Sequence, residues 1–225
     1  MQKKSMLSEC IACDPGKYCS GTAKSAITGT CTAGNFCTLG STTPTPASAT
    51  AIGGPCTVGF YCPAGATVKL PCPPKKYCAT TLLSDPTGLC DAGYYCVGSA
   101  TNRAPTNLAS QGGAICPAGY YCVEGTSSPN PCPPGTFRSA VEGTQPSSCL
   151  TCTGGKYCQA FGGTAITGDC EAGYFCPAGS TVAKQNICPL GHRCPASSPS
   201  AIACTDPGYQ DQKGKFFFTH KLIMI

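Results

Sequence analysis

The chain has 225 residues, of which 22 are cysteine, 28 glycine and 21 proline, and its formal net charge is +5 at pH 7. Leu, Ile, Val and Phe together supply 33 of the 225 residues, or about 15%. This share is below the roughly 20% at which a packed apolar core becomes feasible. The composition excludes an ordinary globular domain and indicates a chain that is held by disulfides in an oxidising compartment. Dense basic patches occur only near the two ends, at Lys3-Lys4 and from Lys213 to Lys221, so we predict no nucleic-acid partner.

The two ends differ from the rest of the chain. The first nine residues, MQKKSMLSE, contain no apolar run of signal-peptide length, and no internal stretch is apolar enough to span a bilayer. Because the composition favours secretion, we expect the sequence to be a fragment whose membrane association comes only from segments outside it. The apolar tail KGKFFFTHKLIMI, from Lys213, is either the start of an anchor or foreign to the native chain.

A seven-residue cysteine unit recurs nine times, as in CPAGYYC from Cys116 to Cys122. Glycine occupies the third slot between the cysteines in eight units, and an aromatic residue occupies the fifth slot in eight units. Glycine suits a tight turn, and one ring supplies most of the apolar area that so small a unit can bury. The exceptions are Lys75, whose turn must be accommodated either differently or with some strain, and Arg193. We expect the rings to stack on neighbouring disulfides; the alternative is an aromatic ladder that binds a ligand.

The intervals between cysteines repeat every three units, starting at Cys13, Cys72 and Cys152. We therefore predict modules at residues 10–71, 72–131 and 152–203, a divergent single unit at 132–151, and a truncated unit with the atypical tail at 204–225. Such repeats predict a linear array in which each unit contacts mainly its neighbours.

The expected fold class is a set of small disulfide-rich repeats that form an elongated irregular rod with short β-hairpins, almost no helix and no large hydrophobic core. No segment keeps a 3.6-residue apolar period over three turns, which argues against helices. Strands of two to four residues are expected around each aromatic-cysteine step.

The unit at Cys132 suggests how the cysteines pair. It has Arg138 where the second cysteine belongs, and an additional cysteine, Cys149, follows. One lost cysteine matched by one gained is expected if each unit closes on itself. The hypothesis gives the pairs Cys13–Cys19, Cys31–Cys37, Cys56–Cys62, Cys72–Cys78, Cys90–Cys96, Cys116–Cys122, Cys132–Cys149, Cys152–Cys158, Cys170–Cys176 and Cys188–Cys194, and it leaves Cys10 and Cys204 unpaired.

A competing scheme joins the second cysteine of each unit to the first cysteine of the next. It runs from Cys19–Cys31 to Cys194–Cys204 and adds tight Cys10–Cys13 and Cys149–Cys152 bridges. This scheme uses every cysteine, whereas the self-closing scheme explains why one spacing stays fixed while the others vary. Spacing alone leaves both schemes open.

The segment CPPGTFRSAVEGTQPSSCLTC, from Cys132 to Cys152, resembles the ephrin-receptor-like cysteine-rich repeat. Units such as CEAGYFC, from Cys170, resemble the tandem variant of this repeat in large surface proteins of ciliates and other protists. The resemblance implies an extracellular region, similar to the cysteine-rich part of growth-factor receptors, within a long membrane-anchored protein. The kinase activity of ephrin receptors does not carry over, because the chain has no His-Arg-Asp or Asp-Phe-Gly motif.

The leading functional hypothesis is a non-enzymatic structural or adhesive spacer at the cell surface, with no cofactor and with an extracellular protein or glycan as the partner, if it has one. The alternative is a ligand-binding receptor ectodomain, for which Lys75-Lys76 and His192-Arg193 are the departures from the repeat to consider. A thiolate metal protein is a remote third class, since Cys10/Cys13 and Cys149/Cys152 are the only knuckle-like pairs. We nominate no catalytic, cofactor-binding or metal-binding residue.

Overall fold

The computed structural model describes residues 12–21, 26–47, 52–204, 209–210 and 216–217, and within them the secondary structure consists almost entirely of two-stranded antiparallel hairpins. The first six are β1 (Lys17–Tyr18) with β2 (Gly29–Thr30), β3 (Asn35–Cys37) with β4 (Gly53–Pro55), β5 (Phe60–Tyr61) with β6 (Leu70–Pro71), β7 (Lys76–Tyr77) with β8 (Gly88–Leu89), β9 (Tyr94–Cys96) with β10 (Gly113–Ile115), and β11 (Tyr120–Tyr121) with β12 (Asn130–Pro131). The others are β13 (Thr136–Phe137) with β14 (Leu150–Thr151), β15 (Lys156–Tyr157) with β16 (Gly168–Asp169), β17 (Tyr174–Phe175) with β18 (Asn186–Ile187), β19 (His192–Arg193) with β20 (Ile202–Ala203), and β21 (Tyr209–Gln210) with β22 (Phe216–Phe217).

Each of the ten hairpins up to β20 has the same construction. Its first strand covers the fourth and fifth slots of a cysteine unit, and its second strand ends directly before the first cysteine of the next unit. The expected short strands around the aromatic-cysteine steps are confirmed, whereas the position of the partner strand before each following cysteine was not predicted. Helical structure in the described residues is limited to α1 (Leu108–Gln111), which Asn107 caps, and a 3-10 turn at Pro146–Ser148.

The interior of each unit is made of sulfur and backbone. The buried apolar side chains of the described residues are 19 cysteines and Ala100, together with buried prolines, while Leu, Ile, Val and Phe side chains lie at least partly in solvent. Phe161 and Leu190 are the extreme cases, at 70% and 75% exposure. The predicted absence of a large hydrophobic core is a direct consequence, because cysteines replace the aliphatic residues that would form one.

A set of four backbone hydrogen bonds joins most pairs of neighbouring cysteine units in the described residues. Two run from a unit to the chain that follows it: the third-slot N–H donates to the carbonyl of the next unit's second cysteine, and the second cysteine's N–H donates to a carbonyl beyond that. The other two run back from the next unit. The N–H of its first cysteine donates to the third-slot carbonyl, and the N–H of a residue three or four positions after its second cysteine donates to the carbonyl of the earlier unit's first cysteine. For the units at Cys152 and Cys170 the bonds are Gly155 N to Cys176 O (2.8 Å), Cys158 N to Ser180 O (3.0 Å), Cys170 N to Gly155 O (2.9 Å) and Gly179 N to Cys152 O (2.8 Å).

A second set of contacts links the next unit but one to each of six units, which begin at Cys13, Cys31, Cys56, Cys116, Cys132 and Cys152. A residue three or four positions after the second cysteine adopts a positive φ, and its carbonyl packs against the third-slot glycine two units earlier. A Cβ on Gly59 would lie 2.8 Å from the carbonyl oxygen of Ser99, and one on Gly119 would fall on the carbonyl of Gly162. Real Cβ atoms do not approach backbone this closely, so the third slot requires glycine for space as well as for backbone conformation.

The described residues divide into two compact parts, each of which contains several cysteine units. One comprises the chain up to Ile115 together with Glu124–Ser128, and the other comprises Cys116–Val123 and the chain from Pro129 onwards. The module boundaries given by the cysteine intervals stay a prediction. Within the part of the chain that the structure describes, no helix is long and apolar enough to cross a membrane.

Candidate functional site

The described residues contain ten disulfides, and these are the pairs of the self-closing scheme. Nine of them join cysteines six positions apart, and the tenth joins Cys132 to Cys149. The competing scheme is wrong for these cysteines, since a sulfur bonded within its own unit cannot also bond to the next unit. Cys204 is free, as the self-closing scheme predicts, and Cys10 lies outside the described residues.

These disulfides bear on the thiolate hypothesis. A metal ion binds the deprotonated thiol, which a cysteine in a disulfide does not have. In the described ranges, no group of three or more His, Cys, Asp or Glu side chains is placed to hold a metal ion. Of the two knuckle-like pairs, Cys13, Cys149 and Cys152 are all consumed by bridges.

The fifth-slot aromatic rings are half-buried, and three of them lie over a glycine. Tyr18, Tyr77 and Tyr157 each face the glycine paired with them across the hairpin, at Gly29, Gly88 and Gly168. A bare glycine in a strand offers nothing to pack, and the ring covers it. One of the rings, Tyr77, packs against a neighbouring disulfide, Cys90–Cys96, and against Ala100.

These three hairpins share a further hydrogen-bond pattern that the sequence reasoning did not single out. A threonine precedes each glycine, and its side-chain oxygen accepts from the backbone N–H just after the second cysteine. The bonds are Ser20 N to Thr28 Oγ1 (2.9 Å), Ala79 N to Thr87 Oγ1 (3.1 Å) and Gln159 N to Thr167 Oγ1 (3.0 Å). The Thr-Gly pair that follows an aromatic-cysteine step is the sequence signal for this hairpin.

Lys75 occupies the third slot with the backbone conformation of a glycine. Its φ is +76°, within the range of +76° to +89° that the third-slot glycines adopt, and it keeps the backbone bonds to Cys96 and Cys90. A side chain in this left-handed region is strained. Of the two possibilities for this turn, a different turn or a strained one, the structure therefore has the strained turn.

We expect Lys75→Gly to stabilise the protein by about 1 kcal/mol, because glycine adopts this conformation without strain. Denaturant unfolding of the oxidised protein measures the change. Lys76→Gly is the matched control, since Lys76 is the next residue, is also exposed and has no positive φ. That control is expected to lower the stability, and a destabilised Lys75→Gly variant would contradict the strain at this position.

Arg138 replaces the missing cysteine and holds the loop that results. Its guanidinium donates from Nη1 to the carbonyl of Ser148 at 2.9 Å and from Nη2 to the carbonyl of Val141 at 2.7 Å. Its Nε is buried and has no hydrogen-bond partner in the described part of the chain. The backbone at this position still behaves as a second cysteine, because it bonds to Gly119 (2.9 Å) and Gly163 (3.0 Å) in the usual way.

The double variant Arg138→Cys/Cys149→Ser should therefore regain the regular unit and form a bridge between Cys132 and the introduced cysteine. We expect it to recover about 2 of the ~3 kcal/mol that Cys149→Ser alone loses, given the shorter loop that the new bridge closes. Peptide mapping of the unreduced protein detects the bridge, and Cys149→Ser is the control with Cys132 left free. A free thiol on the introduced cysteine of the double variant would show that the backbone placement is insufficient.

The charged side chains that depart from the repeat lie on the surface. Lys75, Lys76 and Arg193 are exposed, and His192 is half-buried with its Nδ1 3.2 Å from the carbonyl oxygen of Leu190. The structure brings neither pair together with a cluster of polar side chains that it describes. The receptor hypothesis therefore gains no site from these departures.

The exposed ion pairs are scattered. Arg103 bonds to Asp91, Lys184 to Glu171, and Lys156 to Asp169 across β15 and β16. The hydrogen bond from Lys156, followed by one from Ser197, holds the pKa of Asp169 below its usual value. Lys69 lies 4.5 Å from the ring centre of Phe60, a cation–π contact. Surface pairs of this kind contribute little to stability.

No protein-family model matches the chain, and no curated protein matches it either. The function is therefore inferred from the fold and the disulfides.

Proposed function

We propose that this chain is a non-enzymatic, extracellular cysteine-rich repeat region that acts as a structural or adhesive spacer in a cell-surface protein. The ephrin-receptor-like relation of the segment from Cys132 to Cys152 is part of the proposal. The extracellular part of the proposal is supported by the disulfide-rich repeat structure, which is compatible with an oxidising extracellular environment.

The observation that carries the proposal is the bonding between consecutive units. The four recurring hydrogen bonds use main-chain atoms, and the buried side chains are mostly cysteines. A chain built in this way keeps its backbone geometry while its exposed side chains vary. That property suits a spacer, whose task is to hold other parts of a protein at a distance, and it suits a surface that presents many similar contacts to a protein or glycan.

Exposed apolar residues agree with a role in contact. Leu39, Val68, Leu82, Phe161 and Leu190 each have more than half of their surface in solvent. Single exposed apolar side chains are common on soluble proteins and define no patch on their own. Their distribution along the chain favours many weak contacts over one deep site.

The proposal is tested in cells that express the parent protein. An antibody against the segment should label intact, unpermeabilised cells, and blocking of free thiols before lysis should leave the described disulfides unmodified. Beads that carry the purified segment should then adhere to cells or to a glycan surface more than beads that carry the reduced and alkylated segment. Labelling only after permeabilisation, with the cysteines reduced, would overturn the proposal. Saturable binding of one soluble ligand, lost on changing Lys75 and Lys76, would favour the receptor alternative.

A further inference from the structure

One disulfide is covered less than the other nine. Both cysteines of every six-residue bridge are buried, and the most exposed of them, Cys13, Cys19 and Cys188, reach only 5%. In the Cys132–Cys149 bridge, Cys132 is fully buried, but Cys149 is partly exposed. Cys149 is thus the one disulfide-bonded cysteine in the described residues that is not buried.

The chain around Cys149 does little to cover it. Residues 144–147 before it and residues 150–151 after it are all exposed, while Ser148 is half-buried. The loop closed by this bridge is also the longest, with a separation of 17 residues against six elsewhere. Access of the attacking thiol to a sulfur atom is one of the factors that set the rate of disulfide exchange.

We propose that Cys132–Cys149 is the exchangeable disulfide of this chain and that Cys149 is a site of reversible modification by small thiols. The thiolate of the incoming thiol attacks Sγ of Cys149, the bond between Cys149 and Cys132 breaks, and Cys132 leaves as the thiolate. The product is a mixed disulfide on Cys149 and one free thiol, so the numbers of electrons and sulfur bonds balance without another oxidant or reductant.

The loop is held by bonds that do not depend on the bridge. The Arg138 guanidinium donates hydrogen bonds to the carbonyls of Val141 and Ser148. In addition, Glu142 N donates to Cys116 O (2.7 Å), and β13 is paired with β14. Cys149 therefore remains near Cys132 after exchange, and Cys132 can attack the mixed disulfide and restore the bridge. Arg138 is a positioning residue in this step, because it acts through the loop and does not touch the sulfur chemistry.

The experiment uses the whole chain under native conditions with reduced glutathione as the probe. After short exposures, free thiols are alkylated at low pH and the peptides are mapped by mass spectrometry. We expect glutathione on Cys149 and alkylated Cys132 to appear at least about tenfold faster than opening of any six-residue bridge. Repeating the experiment in Cys10→Ser/Cys204→Ser protein removes initiation by the chain's own thiols, and the same order is expected there.

Two variants test the parts of the proposal separately. Arg138→Cys/Cys149→Ser, once mapping has verified the bridge from Cys132 to its introduced cysteine, should lose the fast exchange. Arg138→Met should keep the fast opening but restore the bridge about fivefold more slowly when glutathione is diluted, because the loop has lost two hydrogen bonds. A six-residue bridge that opens first, equal rates for all bridges, or glutathione on Cys132 in place of Cys149 would each overturn the proposal.

Discussion

Complete reduction of the ten disulfides is expected to unfold the chain. A bridge that closes a six-residue loop contributes about 2 kcal/mol by restricting the unfolded state, and ordinary domains have a total stability of only about 5–15 kcal/mol. The loss of ten bridges therefore exceeds what the remaining contacts supply. The buried side chains are mostly the cysteines themselves, so reduction removes the crosslinks and leaves no aliphatic core to replace them.

Hydrogen exchange measures this effect at the backbone bonds between units. The amides of Gly155, Cys158 and Cys170 should be protected in the oxidised protein and unprotected in the reduced, alkylated protein. The control is protein that is reduced and then reoxidised without alkylation, and its amides should regain their protection. Protection that persists without disulfides would contradict the prediction, and recovery of the reduced, unalkylated chain on addition of Zn²⁺ would favour the thiolate alternative.

Gly119→Ala is expected to destabilise its part of the chain by about 2–4 kcal/mol, from left-handed strain and from overpacking against rigid backbone. Gly119 has a φ of +84°, and a Cβ there would meet the backbone carbonyl of Gly162, with the carbonyl carbon 2.8 Å away. The neighbour is main chain, held by its own bond from Gly162 N to Cys132 O (2.9 Å), so it cannot move aside easily.

Gly179→Ala is the matched control for this prediction. Its φ is +83°, so the backbone strain is the same, but its Cβ would meet only a methyl group of Thr151, at an ordinary 3.6 Å. This variant should lose about 1 kcal/mol. Denaturant titration of the two oxidised variants, followed by tyrosine fluorescence, measures the difference. Equal losses would show that the close approach of the Gly162 carbonyl does not matter for stability.

The sequence allowed the disulfides and the hairpins to be predicted because each depends on residues close together in the chain. A cysteine pair separated by a proline-glycine turn closes locally, and Arg138 indicated that Cys132 needed another partner. The disulfide pairs were predictable because five residues always separate the two cysteines of a seven-residue unit. So short a loop keeps them close together and leaves them few other partners. The exceptional turn at Lys75 was indicated in the same way, by one residue that departs from a repeated turn.

The contacts between units could not be read from the sequence. They join backbone atoms, which every residue has, so no side-chain pattern reports them. The positive-φ residue after a unit is glycine at Gly40, Gly65, Gly125, Gly162 and Gly179 but is Leu82, Ser99, Glu142 or Ser197 elsewhere. Its distance from the second-cysteine position varies between three and four residues. Neither its identity nor its spacing was regular enough to be recognised. Its role is to place its carbonyl beside the glycine two units earlier, which is a contact that only the three-dimensional structure shows.

The short span of each bridge has a consequence for the order in which the chain matures during synthesis. Loops of this size close in well under a microsecond, whereas a ribosome adds only about 5–20 residues per second. A cysteine that opens a six-residue unit therefore contacts its partner before the next unit exists. Because formation of the bond itself takes seconds or longer, the advantage of this partner over distant sulfurs is its high local concentration. Cys132 is the exception: it meets Arg138 first and must remain reduced until Cys149, 17 residues later, has been made. In an oxidising lumen, this is the step of biosynthesis at which the growing chain is most open to a wrong bond.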